Sequence, residues 1–381
     1  VTSGLVGVMG WDMIREIENL GPAKPKDFPS PSMAFAMFQD LVILDHHSST
    51  LLLVSNIFVE QDTDLAGSYK DALDRIDQMR QDLFKPTSVF LADLDLTSPA
   101  SPAHRVSHEA FLKSVASAKQ YVQIGDVFQV VISQRFDQTC EASAIDVYRV
   151  LRALNPSPYM YLLNFEDEDG GYAIVGSSPE ALVKVNDGKA ITHPIAGSRP
   201  RGSDTDSDIA NSESLLADQK EQAEHLMLVD LARNDLLKVC EPSSVTVTEF
   251  MQVHRFSHIM HLVSTVEGIV AAGRSPVDVF KATFPAGTLS GAPKPRALEI
   301  IDELEPDSRG LYGGVVGYFD FSGEADLAIA IRTVFLRDGQ ASVQAGAGLV
   351  LDSVPESEFQ ETIAKASAPL RAVAMAEGMH S

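Results

Sequence analysis

Apolar residues recur along this chain in two periods, and the switches between them mark its elements. Residues 32–58 alternate apolar and polar side chains around Asp45-His46-His47-Ser48-Ser49, which predicts a hairpin. Residues 65–83 carry the 3.6-residue period of a helix with its charges outward. The same period predicts helices over 107–123, 144–154, 213–238, 276–283 and 292–304. Asn155-Pro156 stops the third of these six helices, and Pro306 the last. A final helix opens at Ser353, Pro355 and Glu356, read as a cap, a first-turn proline and a capping-box glutamate.

Period-two or apolar runs predict strands over 127–136, 159–165, 172–175, 183–185, 190–192, 315–321 and 327–336. Asn186-Asp187-Gly188 and Ser322-Gly323 are the turns of two hairpins. There is no internal repeat and no low-complexity tract. Strands come in hairpins and helices intervene irregularly. That predicts an α+β chain, a two-layer antiparallel β core with outer helices, rather than a doubly wound parallel sheet. Residues 94–102, LDLTSPASP, are the candidate linker. They divide a β-rich region, 1–95, from a catalytic region, 106–381, both expected in one intertwined domain.

Composition narrows the function. With 381 residues, 45% of them hydrophobic, a large core is available. A net charge of -23 argues against nucleic-acid or anionic-membrane partners, yet leaves room for a small anionic substrate in a locally basic pocket. No apolar run approaches the roughly 20 residues of a membrane span. The two cysteines, Cys140 and Cys240, have no motif spacing, which fits a reducing cytoplasm and no disulfide framework. The chain opens without an initiator Met, and a preceding segment outside this sequence is expected.

Two acidic pairs carry the strongest candidate chemistry. Glu358 and Glu361, with Lys365, share one face of the last helix, and Glu221 and Glu224 share a face of another. Facing each other they would make a costly like-charge cluster, which a hard divalent cation with a partly open shell relieves. Either pair alone is also what a solvated helix face looks like. Residues 193–202, HPIAGSRPRG, form a loop whose Gly197 N–H and Ser198 hydroxyl could approach a ligand. Residues 284–296, FPAGTLSGAPKPR, bring Thr288 to a small-residue turn ahead of a helix. Arg332 interrupts an apolar run, LAIAIRTVF, as an arginine paired with a buried anion would. Gly346 and Gly348 open a strand to close approach. Of His254, His258 and His261, no carboxylate or Cys completes a zinc spacing, and His261 is the acid–base candidate.

Together PIAGSRPRG, LLADQKEQAEHLMLVDLARND, HRFSHIMHLVSTVEG, FPAGTLSGAPKPRALEIIDELEP, GLYGGVVGYFDFSG, AIAIRT and QAGAGLVLDSVPESEFQETIAKA resemble the chorismate-utilising enzymes. The resemblance is densest, from Val106 onward, to their anthranilate synthase component I branch. It implies a magnesium-dependent lyase acting on chorismate. Glu224 and Glu361 would bind Mg²⁺, with Glu221 and Glu358 in its shell through water. Arg332, Tyr312 and the Gly346, Ala347 and Gly348 backbone would hold the enolpyruvyl carboxylate. Gly197, Ser198 and Thr288 would line the ring. Glu180 would protonate the departing 4-hydroxyl, His261 would serve pyruvate elimination, and Lys365 would lie beside the substrate.

Two positions discriminate within the resemblance. Water-adding relatives carry a lysine at the position of Gln129, and aminodeoxychorismate synthases carry a nucleophilic lysine at that of Ala196. With both absent, ammonia attack at ring carbon 2 to give anthranilate, in tryptophan biosynthesis, is the expectation. The alternatives are 2-amino-2-deoxyisochorismate synthase, aminodeoxychorismate synthase component I and a catalytically dead ligand-binding homologue. A glutamine amidotransferase subunit is the implied partner, because the chain has no Cys–His pair of its own. Pro158, Tyr159 and Met160 match half of a tryptophan feedback site; the Leu-Leu-Glu-Ser half is absent from this sequence. Ser198 stands where the family has Thr.

Overall fold

The computed structural model describes residues 2–25, 28–86, 99–256 and 259–379. Their strands form two large sheets and one hairpin, every pairing antiparallel. The larger sheet runs Ile195–Pro200, Ile259–Ile269, Lys189–Thr192, Ala181–Asn186, Ala325–Ile329, Val315–Asp320, Gly4–Met9, Met33–Met37, with Thr246–Arg255 also on Ile259–Ile269. The smaller runs Gly291–Ala292, Gln129–Thr139, Gln340–Leu349, Thr333–Arg337, Gly170–Ser178, Tyr159–Asp167.

The sheets face each other. Ile174 and Phe335 of the smaller meet Val8 and Val316 of the larger in one buried cluster, with Leu311. On the smaller sheet's other face, Phe136, Val175, Val334 and Val343 pack against Val147 and Leu151 of helix Ala144–Leu154 and Ala366, Leu370 and Val373 of helix Pro355–Glu377. This is the expected two-layer β core with outer helices. Strand Gln340–Leu349 can sit between sheet and helix because its residues are small and almost all buried.

Several elements fall where the periodicity put them, among them Leu65–Leu83, Ala144–Leu154 and Pro276–Thr283. The Asn186-Asp187-Gly188 turn has positive φ at Asp187 and Gly188, which the hairpin geometry demands. Others differ. The expected hairpin over 32–58 contracts to Asp40–Asp45 and Thr50–Ser55, because Met33–Met37 instead pairs with Gly4–Met9. The strand expected over 127–136 spans Gln129–Thr139. Ala292 pairs with Gln129 rather than opening a helix, which begins at Lys294. The last helix is capped by Val354 without a side-chain bond; the Ser353 hydroxyl accepts from Val350 N instead. Part of the candidate linker, residues 94–98, lies outside the described residues, as does His258.

Two corrections bear on function. The single helix expected over 213–238 is two, Thr205–Ala217 and Gln219–Leu237. Asp218 between them is extended, and its carboxylate accepts from Lys220 and Glu221 N–H groups, so Glu221 sits in a fresh first turn. The single strand expected over 327–336 is also two, Ala325–Ile329 in the larger sheet and Thr333–Arg337 in the smaller. Arg332 is therefore not inside a strand but at the crossing, with φ 51°.

Candidate active site

The two acidic helices converge. Glu224, on Gln219–Leu237, has its pKa raised by burial first, then by the charges of Glu221 and, from the other helix, Glu361. Glu358, on Pro355–Glu377, is raised by burial and by Glu361, against a hydrogen bond from Ser353. Four carboxylates thus repel one another between the helices, with Lys365 and Lys220 as the nearby cations. The donor set is oxygen only, the chemistry a hard divalent cation takes. As they stand the carboxylates are turned onto cations: Glu361 pairs with Lys365 at 2.6 Å and Glu221 with Arg199 at 3.3 Å. Among the described residues no three His, Cys, Asp or Glu side chains are grouped as a ready metal cage. The residues fit Mg²⁺ in charge and kind, and these side chains would swing to reach it.

Lys365 also donates to the Gly346 carbonyl at 3.0 Å. Gly346 has to be glycine: a Cβ there would lie 2.7 Å from the Tyr312 hydroxyl. Tyr312 is buried, its pKa raised by burial, and it feels the charges of Arg332 and Glu361. Arg332 is half-buried, and that burial lowers its pKa. Its guanidinium makes no hydrogen bond or ion pair among the described residues. An arginine desolvated without a counter-ion is poised to take an anion.

His261 lies across the same space. Its Nδ1 donates to the Gly197 carbonyl at 2.8 Å, which leaves Nε2 as the free base. Burial lowers its pKa, helped by Arg332 and opposed by the Gly197 bond and Glu221. Gly197 forms a bulge where strand Ile195–Pro200 slips register against Ile259–Ile269, with φ 70°. A Cβ at 197 would sit 3.0 Å from Glu221 Oε2 and 3.2 Å from Leu215. Gly197→Ala is expected to cost about 1–2 kcal/mol of unfolding free energy, read from urea melts; an unchanged midpoint would mean the bulge can shift.

Glu180 completes the set. Thr288 donates to its carboxylate at 2.9 Å, and burial raises its pKa to about 7, against Thr288 and the charge of Lys365. The burial comes from a mostly apolar pocket that Glu180 and Thr288 share with Leu228, Leu231, Ala286 and Ile329. A carboxyl of this kind is half-protonated near neutrality and suits a general acid. Electrostatic contact therefore runs without a gap from Glu180 through Lys365, Glu361, Tyr312, Arg332 and His261 to Glu221 and Glu224.

The sequence and fold of the chain are similar to those of known proteins. The chain matches the chorismate binding enzyme family over residues 1–371. It is 53% identical over 387 residues to anthranilate synthase component 1 of Arthrobacter globiformis, covering 100% of this chain and 73% of that protein. It is 49% identical over 380 residues to the protein of the same name from Mycolicibacterium smegmatis, covering 99% and 72%.

The chain belongs to the chorismate-binding enzymes.

Among solved structures, anthranilate synthase component I from Streptococcus pneumoniae superimposes with a TM-score of 0.87 at 39% identity, over 97% of this chain and 80% of that one. The menaquinone-specific isochorismate synthase MenF from Escherichia coli has a TM-score of 0.67 at 24% identity, over 81% and 69%, a likeness of fold alone.

Within this family's fold the remaining candidates take distinct places. Gln129 is buried, its Oε1 without a hydrogen-bond partner among the described residues, and its amide crowds Gly348 so that a Cβ there would lie 2.5 Å from Nε2. Ala196 and Ala347 are buried small residues on the strands that carry Gly197 and Gly346. Ser198 pairs directly with His261 across the larger sheet but stays exposed. His254 also pairs with His261, with no metal grouping around it among the described residues. Pro158, Tyr159 and Met160 stand at the smaller sheet's edge, and the Tyr159 hydroxyl donates to Asp326 at 2.9 Å rather than into the carboxylate cluster.

Sequence reasoning missed one support. Arg309 is fully buried, forms an ion pair with Glu305 at 2.7 Å, and stacks over Trp11 and Tyr312. Glu305 also accepts from Ser133 N and Oγ. The pair holds Tyr312 against strand Gln129–Thr139. Its only signal was opposite charges four apart, at 305 and 309 just after a helix, which many surfaces share.

Proposed function

We propose that this chain is the chorismate-aminating component of an anthranilate synthase. Ammonia adds to ring carbon 2 of chorismate as the 4-hydroxyl leaves as water. Loss of the carbon 2 proton and of pyruvate then gives anthranilate, the first step towards tryptophan. The observation that carries this reading is Glu180: a half-buried carboxyl with a pKa raised to about 7 by desolvation, held by Thr288, is a proton donor for a poor leaving group. The names of the similar proteins support the same activity.

The other residues divide the work. Arg332 and Tyr312, with the backbone of Gly346, Ala347 and Gly348, bind the enolpyruvyl carboxylate. Gly197 and Ser198 line the ring. His261, with Nε2 free, takes the carbon 2 proton in the elimination. Lys365 neutralises charge beside Glu361 and Gly346. Glu224 and Glu361 would hold Mg²⁺, with Glu221 and Glu358 reaching it through water, and the bound ion supplies charge neutralisation for the ring carboxylate.

Ammonia has to arrive from elsewhere. Cys140 and Cys240 are free and buried, their thiols pushed up to about 11 mainly by burial, so neither is a glutamine-hydrolysing nucleophile. A glutamine amidotransferase subunit is the fitting partner, and tryptophan at Pro158–Tyr159–Met160 the fitting regulator. Cytoplasmic residence follows from the same reading; among the described residues no helix is long and apolar enough to cross a membrane.

The nucleophile is decided at two positions. Gln129 cannot take a proton from water, and Ala196 cannot attack the ring. With chorismate, Mg²⁺ and ammonium, the isolated chain should give anthranilate and pyruvate in equal amounts, and none with glutamine in place of ammonium. Chromatography of one reaction checks this. An aminated product retaining its enolpyruvyl group would identify a 2-amino-2-deoxyisochorismate synthase instead, and a dominant hydroxylated product would overturn the argument from Gln129.

A further inference from the structure

The chain leaves the larger sheet after Ile329 and enters the smaller at Thr333. Arg332, the last residue of that passage, has φ 51°. This left-handed conformation is unfavourable for a residue with a side chain and persists only where neighbours hold it. It also decides where the guanidinium goes, because a change of backbone well at 332 would swing the whole side chain.

Both peptide groups around Arg332 are held. Its own carbonyl accepts from Ser177 N at 3.2 Å. The carbonyl before it, that of Ile331, accepts from the Thr333 hydroxyl at 2.8 Å. A threonine hydroxyl has one proton, and this one is spent on Ile331. The Tyr161 hydroxyl, 2.6 Å from Thr333 Oγ1, must therefore be the donor of that second bond. Tyr161 is in turn fixed in place: its ring covers Gly176, where a Cβ would lie 2.2 Å from ring carbons. The order Tyr161, Thr333, Ile331 carbonyl is thus a directed chain of hydrogen bonds that ends on the peptide preceding Arg332.

We infer that Thr333, oriented by Tyr161, is a positioning residue that aims Arg332 at the substrate's carboxylate. The inference rests on Arg332 binding that carboxylate. Thr333 touches no substrate atom; it keeps a desolvated, unpaired guanidinium in the one backbone state that presents it beside Tyr312 and His261.

The test compares Thr333→Val, Thr333→Ser, Arg332→Ala and the Thr333→Val/Arg332→Ala double variant, each assayed with chorismate, Mg²⁺ and saturating ammonium, with thermal midpoints alongside. Thr333→Val should raise KM for chorismate about ten-fold and leave kcat within about two-fold. Thr333→Ser, which keeps the hydroxyl, should restore KM. The double variant should be no worse in KM than Arg332→Ala alone, because Thr333 acts through the arginine. A parental KM in Thr333→Val beside a raised KM in Arg332→Ala overturns the inference while sparing the assignment of Arg332. Additive losses in the double variant, or no rescue by Ser, would give Thr333 a purely structural part and also overturn it. A parental KM in Arg332→Ala would remove the reading of Arg332 and the inference with it.

Discussion

Glu180→Gln is expected to cut turnover by roughly 10²–10⁴ and, at pH 8, to make the protein harder to unfold. The two effects have one cause. Burial raises the Glu180 pKa from its ordinary 4.5 to about 7, so the folded protein keeps a proton there that the unfolded chain gives up. A folded-state pKa above the unfolded value means stability that is present below pH 4.5 and lost as pH rises through 7. At about 1.4 kcal/mol per pH unit, the raised pKa costs the parent on the order of 3 kcal/mol at pH 8. Glutamine removes that cost while its carbonyl still accepts from Thr288. Thermal melts at pH 5 and pH 8 should show the variant's advantage growing at the higher pH. In the parent, turnover corrected for the fraction of free NH₃ should fall above pH 7 as Glu180 loses its proton. A variant with parental turnover, or a stability gap indifferent to pH, would remove Glu180 from its assigned part.

Glu361→Gln is the second large effect, and it separates metal binding from folding. Glu361 stands beside the acidic Glu224 and Glu358 and is half-exposed, paired with Lys365. Removing its charge loses an ion pair worth about 0–1 kcal/mol and relieves repulsion on Glu224 and Glu358, so the metal-free melting midpoint should barely move. Activity should fall by roughly 10² or more. Any rise in the midpoint on adding Mg²⁺ should be confined to the parent. Parental turnover at low Mg²⁺ in the variant would sink the assignment of the metal to these four glutamates.

Local spacing carried a good part of the fold. Helix Ala144–Leu154 and the Asn186-Asp187-Gly188 turn depend on residues within a few positions of each other, and so do the shared faces of Glu221 with Glu224 and Glu358 with Glu361. Side-chain types set those by themselves. They also set what the site could be made of: carboxylates without a lysine at 129 or 196, and no cysteine in a reactive context. The long motifs, matched to a known family, carried the rest of the chemistry, and the comparisons bear out both the family and the activity read from them.

What the sequence left open depends on partners far along the chain. The run 327–336 is apolar apart from Arg332 and Thr333 and reads as one strand. Its first half pairs with Ala181–Asn186 and its second with Gly170–Ser178, in different sheets, and only those pairings force the break that gives Arg332 its φ. One exception is local: Asp218 ends one helix and begins another because its carboxylate caps the N–H groups of Lys220 and Glu221, which the 3.6-residue period does not show. Glu180 looks like any strand-end glutamate until Leu228, Leu231 and Ile329 enclose it and raise its pKa. The composition and spacing of this chain therefore determined which groups were available and on which faces. The tertiary structure decided which of them lost water and which charges met, because desolvation and Coulomb energy depend on distance in space and not on separation in sequence.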